Sequence, residues 1–115
     1  MMNQTNEALT DFQRKVYEAC SQIPAGKVST YGLLAKAISC GSAQAVGQAL
    51  KVNPFAPEVP CHRVVKTDRS IGGFFGQREG AEVTRKVNLL KEEGVKFDER
   101  GRVAQGQLWA FSREG

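Results

Sequence analysis

Residues 31–52 read Tyr-Gly-Leu-Leu-Ala-Lys-Ala-Ile-Ser-Cys-Gly-Ser-Ala-Gln-Ala-Val-Gly-Gln-Ala-Leu-Lys-Val, two short helical patterns parted by a tight break. A helix starting near Tyr31 sets Leu34, Ala37 and Ile38 on one buried stripe. Ser39-Cys40-Gly41-Ser42 interrupts it, and Ser42 is a good cap for a further helix from about Ala43 to Lys51 or Val52. Ala43, Ala45, Gly47 and Ala49 make that helix bare, while Val46 and Leu50 form its inward edge. A mid-helix glycine costs about 1 kcal/mol relative to alanine. Gly47 therefore has two readings, a close approach to a partner or tight packing between helices. Two helices joined by a short turn, the second with a small-residue face, predict a helix-turn-helix.

Upstream, Thr10 and Gln13 form the two halves of a capping box. They open a helix whose inward face is Phe12, Val16, Cys20 and Ile23, stopped by Pro24-Ala25-Gly26. Lys27 to Thr30 is short, β-branched and extended. Downstream, Asn53-Pro54 ends the helical pair, and Phe55 to Pro60 is a loop leading to a short strand over Cys61 to Val65. A glycine-bracketed aromatic loop, Gly72-Gly73-Phe74-Phe75-Gly76, precedes a last helix from about Ala81 to Glu93, with Val83, Val87 and Leu90 on one face and Gly94 as terminator. A small hairpin turns at Arg100-Gly101, and Trp109 and Phe111 form a hydrophobic latch. The expected fold class is mainly α with a small β component, a winged-helix-like helix-turn-helix domain.

With 115 residues the chain is read as one domain, 1–115, holding the helix-turn-helix at about 31–52 and a loop of functional interest at about 53–65. No apolar run is long enough to span a membrane, and Met-Met-Asn-Gln-Thr-Asn-Glu lacks the basic head and apolar core of a signal peptide. Three cysteines at spacings of 20 and 21 do not suggest a disulfide framework. Reduced thiols point to the cytoplasm, or to the nucleus in a eukaryote. Cys20 and Cys40 read as small apolar core residues. The formal net charge of +4 favours an anionic partner such as nucleic acid.

Val59-Pro60-Cys61-His62-Arg63-Val64 sets the chain's one histidine against a cysteine. A thiol near pKa 8.5 is a poor nucleophile, and a neighbouring imidazole or guanidinium is what lowers that pKa. The dipeptide alone fits either a reactive cysteine or a buried cysteine beside a surface histidine. A lone histidine gives too few ligands for zinc, so no metal and no cofactor are expected.

Taken in order, Lys-Val-Ser-Thr-Tyr at 27–31, Ala-Val-Gly at 45–47, Asn-Pro at 53–54, Pro-Cys-His-Arg-Val at 60–64, the Gly-Phe loop at 73–76, and Arg-Lys, Leu-Leu and Glu-Gly within 85–94 resemble the carboxy-terminal domain of the O6-alkylguanine-DNA alkyltransferases. The resemblance runs from about Phe12 to Phe97. It implies DNA repair in which an alkylated guanine leaves the stack and a thiolate displaces it from the alkyl carbon. It makes Cys61 the nucleophile and acceptor, His62 its base through a water, and Glu93 the residue orienting the imidazole. Asn53 would be a hinge bonding backbone between the helix-turn-helix and the Cys61 loop. Tyr31 would lie beside the flipped nucleotide, and Leu50 and Phe74 would wall the pocket. The carbonyls of Cys61 and Val64 would accept from the exocyclic amine, and the Phe75 N–H would donate to O6. Arg63 and the helix carrying Ala43, Gln44, Ala45 and Gly47 complete the expected DNA contacts. Lys86 could stabilise charge on the leaving base, although its residue type alone reads as an exposed helix lysine. The implied partner is double-stranded DNA containing O6-alkylguanine, met by a monomer.

The chain departs from this pattern at Gln44, where the family usually presents an arginine that fills the place of the extruded nucleotide. Only about ten residues precede the first helix, so the amino-terminal domain of two-domain members is expected to be missing. In size the chain also resembles the alkyltransferase-like proteins, which bind alkylated DNA without repairing it and typically carry tryptophan where Cys61 stands.

Overall fold

A computed structural model describes residues 10–56, 58–72 and 80–111. Helix α1 spans Asp11–Cys20 and opens on the expected capping box. The Gln13 N–H donates to Thr10 Oγ1 at 3.0 Å, and the Thr10 N–H donates to Gln13 Oε1 at 3.0 Å. Val16, Tyr17, Ala19 and Cys20 are its buried face. Strand β1, Ser29–Thr30, leads directly into helix α2, Tyr31–Ala37, because the Thr30 hydroxyl caps α2 by accepting the Leu33 N–H at 3.0 Å. The break to helix α3, Ala43–Lys51, has Ser39 in the left-handed region (φ 59°), and Ser42 Oγ accepts the Ala45 N–H at 3.0 Å. Helices α1, α2 and α3 pack on one another, and α2 with α3 forms the helix-turn-helix.

Two expectations change here. Ala37 is exposed in the last turn of α2, and Ala35 is buried in its place beside Leu34. Cys61 to Val65 is not one strand: Cys61–Arg63 forms a single 3₁₀ turn, and only Val64–Val65, strand β2, is extended. The β-branched pair carries the strand, while Cys-His-Arg has no such preference.

Strand β2 pairs parallel with β1, Ser29 opposite Val64 and Thr30 opposite Val65. Successive strand residues face opposite sides. Val64 accordingly joins a cluster with Val16, Cys20, Leu34, Val46, Leu50 and Cys61. Val65 joins a second cluster with Val28, Leu90, Val95 and Val103. Helix α4, Ala81–Glu92, buries Leu90 and Lys86, while Val83 and Val87 are half-buried. Gly94, at φ 90°, follows it. The chain then makes the expected hairpin, with Phe97 bridged antiparallel to Val103. The latch is also in place. The Trp109 N–H donates to the Val28 carbonyl at 2.7 Å, and Trp109 and Phe111 meet edge to face against the first cluster. The fold is mainly helical with a two-stranded sheet, a helix-turn-helix architecture.

Candidate functional site

Cys61 is delivered by the turn that leaves α3, and Asn53 holds that turn. The Asn53 N–H closes onto the Leu50 carbonyl at 3.1 Å. Its side chain accepts the Phe55 N–H at 2.9 Å and donates to the Val59 carbonyl at 3.0 Å. The same Val59 carbonyl accepts the Cys61 N–H at 2.8 Å. The end of the helix-turn-helix and the cysteine therefore share one acceptor, as a residue bonding backbone across that junction requires. The Cys61 carbonyl takes the Val64 N–H, so the two positions expected to face an exocyclic amine are joined by a bond of their own.

The Cys61 thiol is buried and its pKa is raised, not lowered. Burial dominates, against opposing pulls from the Asn53 side chain and the charges of Lys86 and Arg85. His62 is not among the groups that favour the thiolate. The expectation of a thiol activated at rest by its neighbouring cations is thus corrected: at neutral pH the cysteine is a thiol.

His62 is buried as well, which removes the surface-histidine reading. Its Nε2 lies 3.0 Å from Glu93 Oε2. Burial lowers the imidazole pKa, and Arg63 and Lys86 add to this against the pull of Glu93, so the ring is neutral at pH 7. Burial pushes the Glu93 carboxyl up, but the bonds from Arg63 and His62 outweigh it and hold the group below its ordinary value.

Arg63, expected among the DNA contacts, turns inward. Its Nε donates to Glu93 Oε1 at 2.9 Å and its Nη2 to Glu93 Oε2 at 2.7 Å. Nη1 donates to the Ile23 carbonyl at 2.8 Å. Nothing local in the sequence marks this clamp, because its partners come from the turn that follows α1 and from the end of α4.

Beside the cysteine, Tyr31 is half-buried at the start of α2, and burial together with Cys61 and Cys20 pushes its hydroxyl up to about 12. Lys86 lies beneath the tyrosine, its Nζ 5.9 Å from the ring centroid and donating to the Ile71 carbonyl at 2.7 Å. The reading of Lys86 as an exposed helix lysine fails: it is fully buried, and burial lowers it to about 8 against an upward pull from Cys61. Its position on the Val83 and Leu90 stripe was the available signal. Leu50 packs in the same cluster as Cys61. On α3, Ala43 and Gln44 are exposed and Ala45 and Gly47 half-buried, which turns the bare side of this helix outward. Phe74 and Phe75 lie outside the described residues.

Residues 11–95 match the family described as "6-O-methylguanine DNA methyltransferase, DNA binding domain". A methylated-DNA–protein-cysteine methyltransferase of Methanothermobacter thermautotrophicus is 39% identical over 89 residues, which cover 77% of this chain and 47% of that protein. The chain spans about half the length of the curated relatives it matches. The crystal structure of O6-methylguanine-DNA methyltransferase from Pyrococcus kodakaraensis superposes with a TM-score of 0.66 at 44% identity, covering 76% of this chain and 48% of that one. The crystal structure of S. pombe Atl1 in complex with damaged DNA containing O6-carboxymethylguanine superposes with a TM-score of 0.72 at 32% identity, covering 96% of this chain and 100% of that one.

Proposed function

The chain belongs to the 6-O-methylguanine DNA methyltransferase family, and from that membership we propose that it repairs DNA by taking the alkyl group of O6-alkylguanine onto Cys61. The observation that carries this reading is a buried cysteine followed by a buried, neutral histidine held by a carboxylate. In the proposed reaction α3 meets the duplex with Gln44, Ala43, Ala45 and Gly47, and the damaged base enters beside Tyr31. Cys61 Sγ attacks the alkyl carbon, the carbon–oxygen bond breaks, and its electron pair leaves with guanine O6. The thiol proton passes through a water to His62, and the departing guanine takes up a proton from solvent, which the imidazolium then gives back, so that His62 ends neutral. Lys86, buried beside Tyr31, offsets negative charge as the base leaves. Water does not cleave the resulting thioether, so each molecule acts once, with no cofactor consumed. The protein works as a monomer on double-stranded DNA in the cytoplasm, or in the nucleus of a eukaryote.

One observation favours a second reading, in which the protein binds the lesion and flags it for another pathway with Cys61 inert: the match to S. pombe Atl1 covers 96% of this chain and 100% of that one. Intact-mass spectrometry after incubation with an O6-methylguanine oligonucleotide separates the two. Transfer predicts a gain of one methylene's mass, mapped to Cys61 and absent in Cys61→Ala. Tight lesion binding with no gain in mass would overturn transfer in favour of the sensor.

A further inference from the structure

Arg63 is the one charged side chain of the Cys61 turn that the proposed reaction leaves without a part. We propose that Arg63 is a positioning residue, whose grip on Glu93 fixes the carboxylate against His62 Nε2 and so leaves Nδ1 as the imidazole nitrogen that takes a proton. The inference rests on reading Cys61, His62 and Glu93 as the transfer site.

An ionised carboxylate only accepts hydrogen bonds, so with Glu93 Oε2 at 3.0 Å the Nε2 atom carries the ring hydrogen. Nδ1 then keeps its lone pair. Left to itself, a carboxylate on a flexible stem rotates between rotamers and releases that constraint. Here both oxygens are held, Oε1 by Arg63 Nε at 2.9 Å and Oε2 by Nη2 at 2.7 Å. The guanidinium is itself anchored by Nη1 on the Ile23 carbonyl at 2.8 Å. The Cys61–Arg63 turn and the end of α4 thus meet at a single carboxylate, and the turn after α1 holds the guanidinium that grips it. Only a planar fork closes this geometry, because a lysine brings the charge without the second parallel bond.

The clamp has an electrostatic consequence. The charged groups acting on the imidazole are Glu93 at the end of α4, Arg63 on its own turn and Lys86 in the middle of α4. Glu93 favours the imidazolium, whereas burial, Arg63 and Lys86 oppose it. A guanidinium bound across both oxygens cancels much of the carboxylate's charge, so the Glu93 pair does not store a proton on His62 at rest. His62 stays available to receive the proton that Cys61 loses as the sulfur–carbon bond forms.

The chain's one histidine makes the test unambiguous. Proton and nitrogen NMR of the ring, recorded on the full chain without DNA, gives both its pKa and its tautomer. In wild type the Nε2–H tautomer is expected, with a pKa below that of a free imidazole. Arg63→Met should raise the pKa by about 1 unit or more, and mix the tautomers. Arg63→Lys should keep the pKa near wild type and still mix the tautomers. An Arg63→Met ring with wild-type pKa and tautomer overturns the proposal, as does a wild-type ring in the Nδ1–H form. Should circular dichroism show that Arg63→Met does not fold, Arg63→Lys decides, and an unmixed Nε2–H tautomer there is equally fatal. Because no DNA is present, failure of wild type to accept an alkyl group would remove the transfer reading and leave this result standing.

Discussion

Replacing Gly47 with alanine separates the two readings of the bare face of α3. A Cβ at this position would meet nothing nearer than Cδ1 and Cε1 of Tyr31, both at 4.0 Å, an ordinary van der Waals distance. The residue sits inside a regular helix, so no torsion reserved to glycine is lost. Packing within the molecule therefore has room for a methyl group. Alanine should stabilise the free protein by about 0.5–1 kcal/mol, the usual gain over glycine in a helix interior. At 115 residues this corresponds to a rise in Tm of roughly 2–5 °C. The proposed DNA contact predicts the opposite sign for binding, since the methyl group would stand between α3 and a closely approaching groove. Affinity for a labelled duplex should fall severalfold, measured by fluorescence anisotropy at one fixed ionic strength, because phosphate contacts make affinity depend on salt. A fall in Tm would show that glycine is needed for packing after all. A rise in Tm with unchanged affinity would show that this face does not meet DNA, and the assignments of Ala43, Gln44 and Ala45 would go with it.

Lys86→Met should be more stable than wild type at pH 7, and the difference should close as pH rises. Lys86 falls from an ordinary 10.5 to about 8 in the folded state, so its contribution is restored above 10.5 and lost as pH falls through about 8. That fall, from 10.5 to about 8, bounds the difference at about 3 kcal/mol, reduced by the lost bond to Ile71. Urea unfolding of both proteins from pH 7 to pH 10 reads it, and a difference independent of pH would refute the buried charge. Gln44→Arg should speed transfer from duplex DNA by about tenfold for each 1.4 kcal/mol of base extrusion that arginine recovers, while barely changing reaction with free alkylguanine. Equal rates on duplex DNA for both proteins would mean that glutamine is an adequate wedge or does not reach the base stack.

How much of this was legible in the sequence depended on distance along the chain. The capping box of Thr10 and Gln13 and the Ser42 cap are complete within three residues, and the structure has all of them where the sequence places them. Helix phase was also legible, but residue type was weighed against it. Lys86 stands three residues after Val83 and four before Leu90, on the stripe that α4 turns inward. Phase alone buries it, and lysine chemistry argues for solvent. The conflict is resolved by the Ile71 carbonyl and the Tyr31 ring, which the chain brings from elsewhere. Ala37 failed for the opposite reason: α2 is only two turns long, and its last residue clears the core.

The site itself was legible as a set of residue types and not as an arrangement. Read locally, Cys61-His62-Arg63 is a thiol with two basic neighbours that should draw out its proton. In the fold both neighbours turn to one carboxylate about thirty positions away, and the thiol is left with burial, Asn53 and the charges of Lys86 and Arg85. No pattern within the turn could reveal this, because it depends on how the end of α4 docks against that turn. The outcome changes what the cysteine is at rest. A protonated, buried thiol reacts slowly with stray electrophiles, which would suit the single use that the proposed transfer makes of Cys61. In the proposed reaction it becomes a nucleophile only when the alkyl carbon is within reach and the proton can move to a histidine kept neutral for it. On the proposed reading, the clamp that hides Arg63 from solvent and the burial that raises the thiol pKa serve one end: the proton moves when the substrate is in place, and not before.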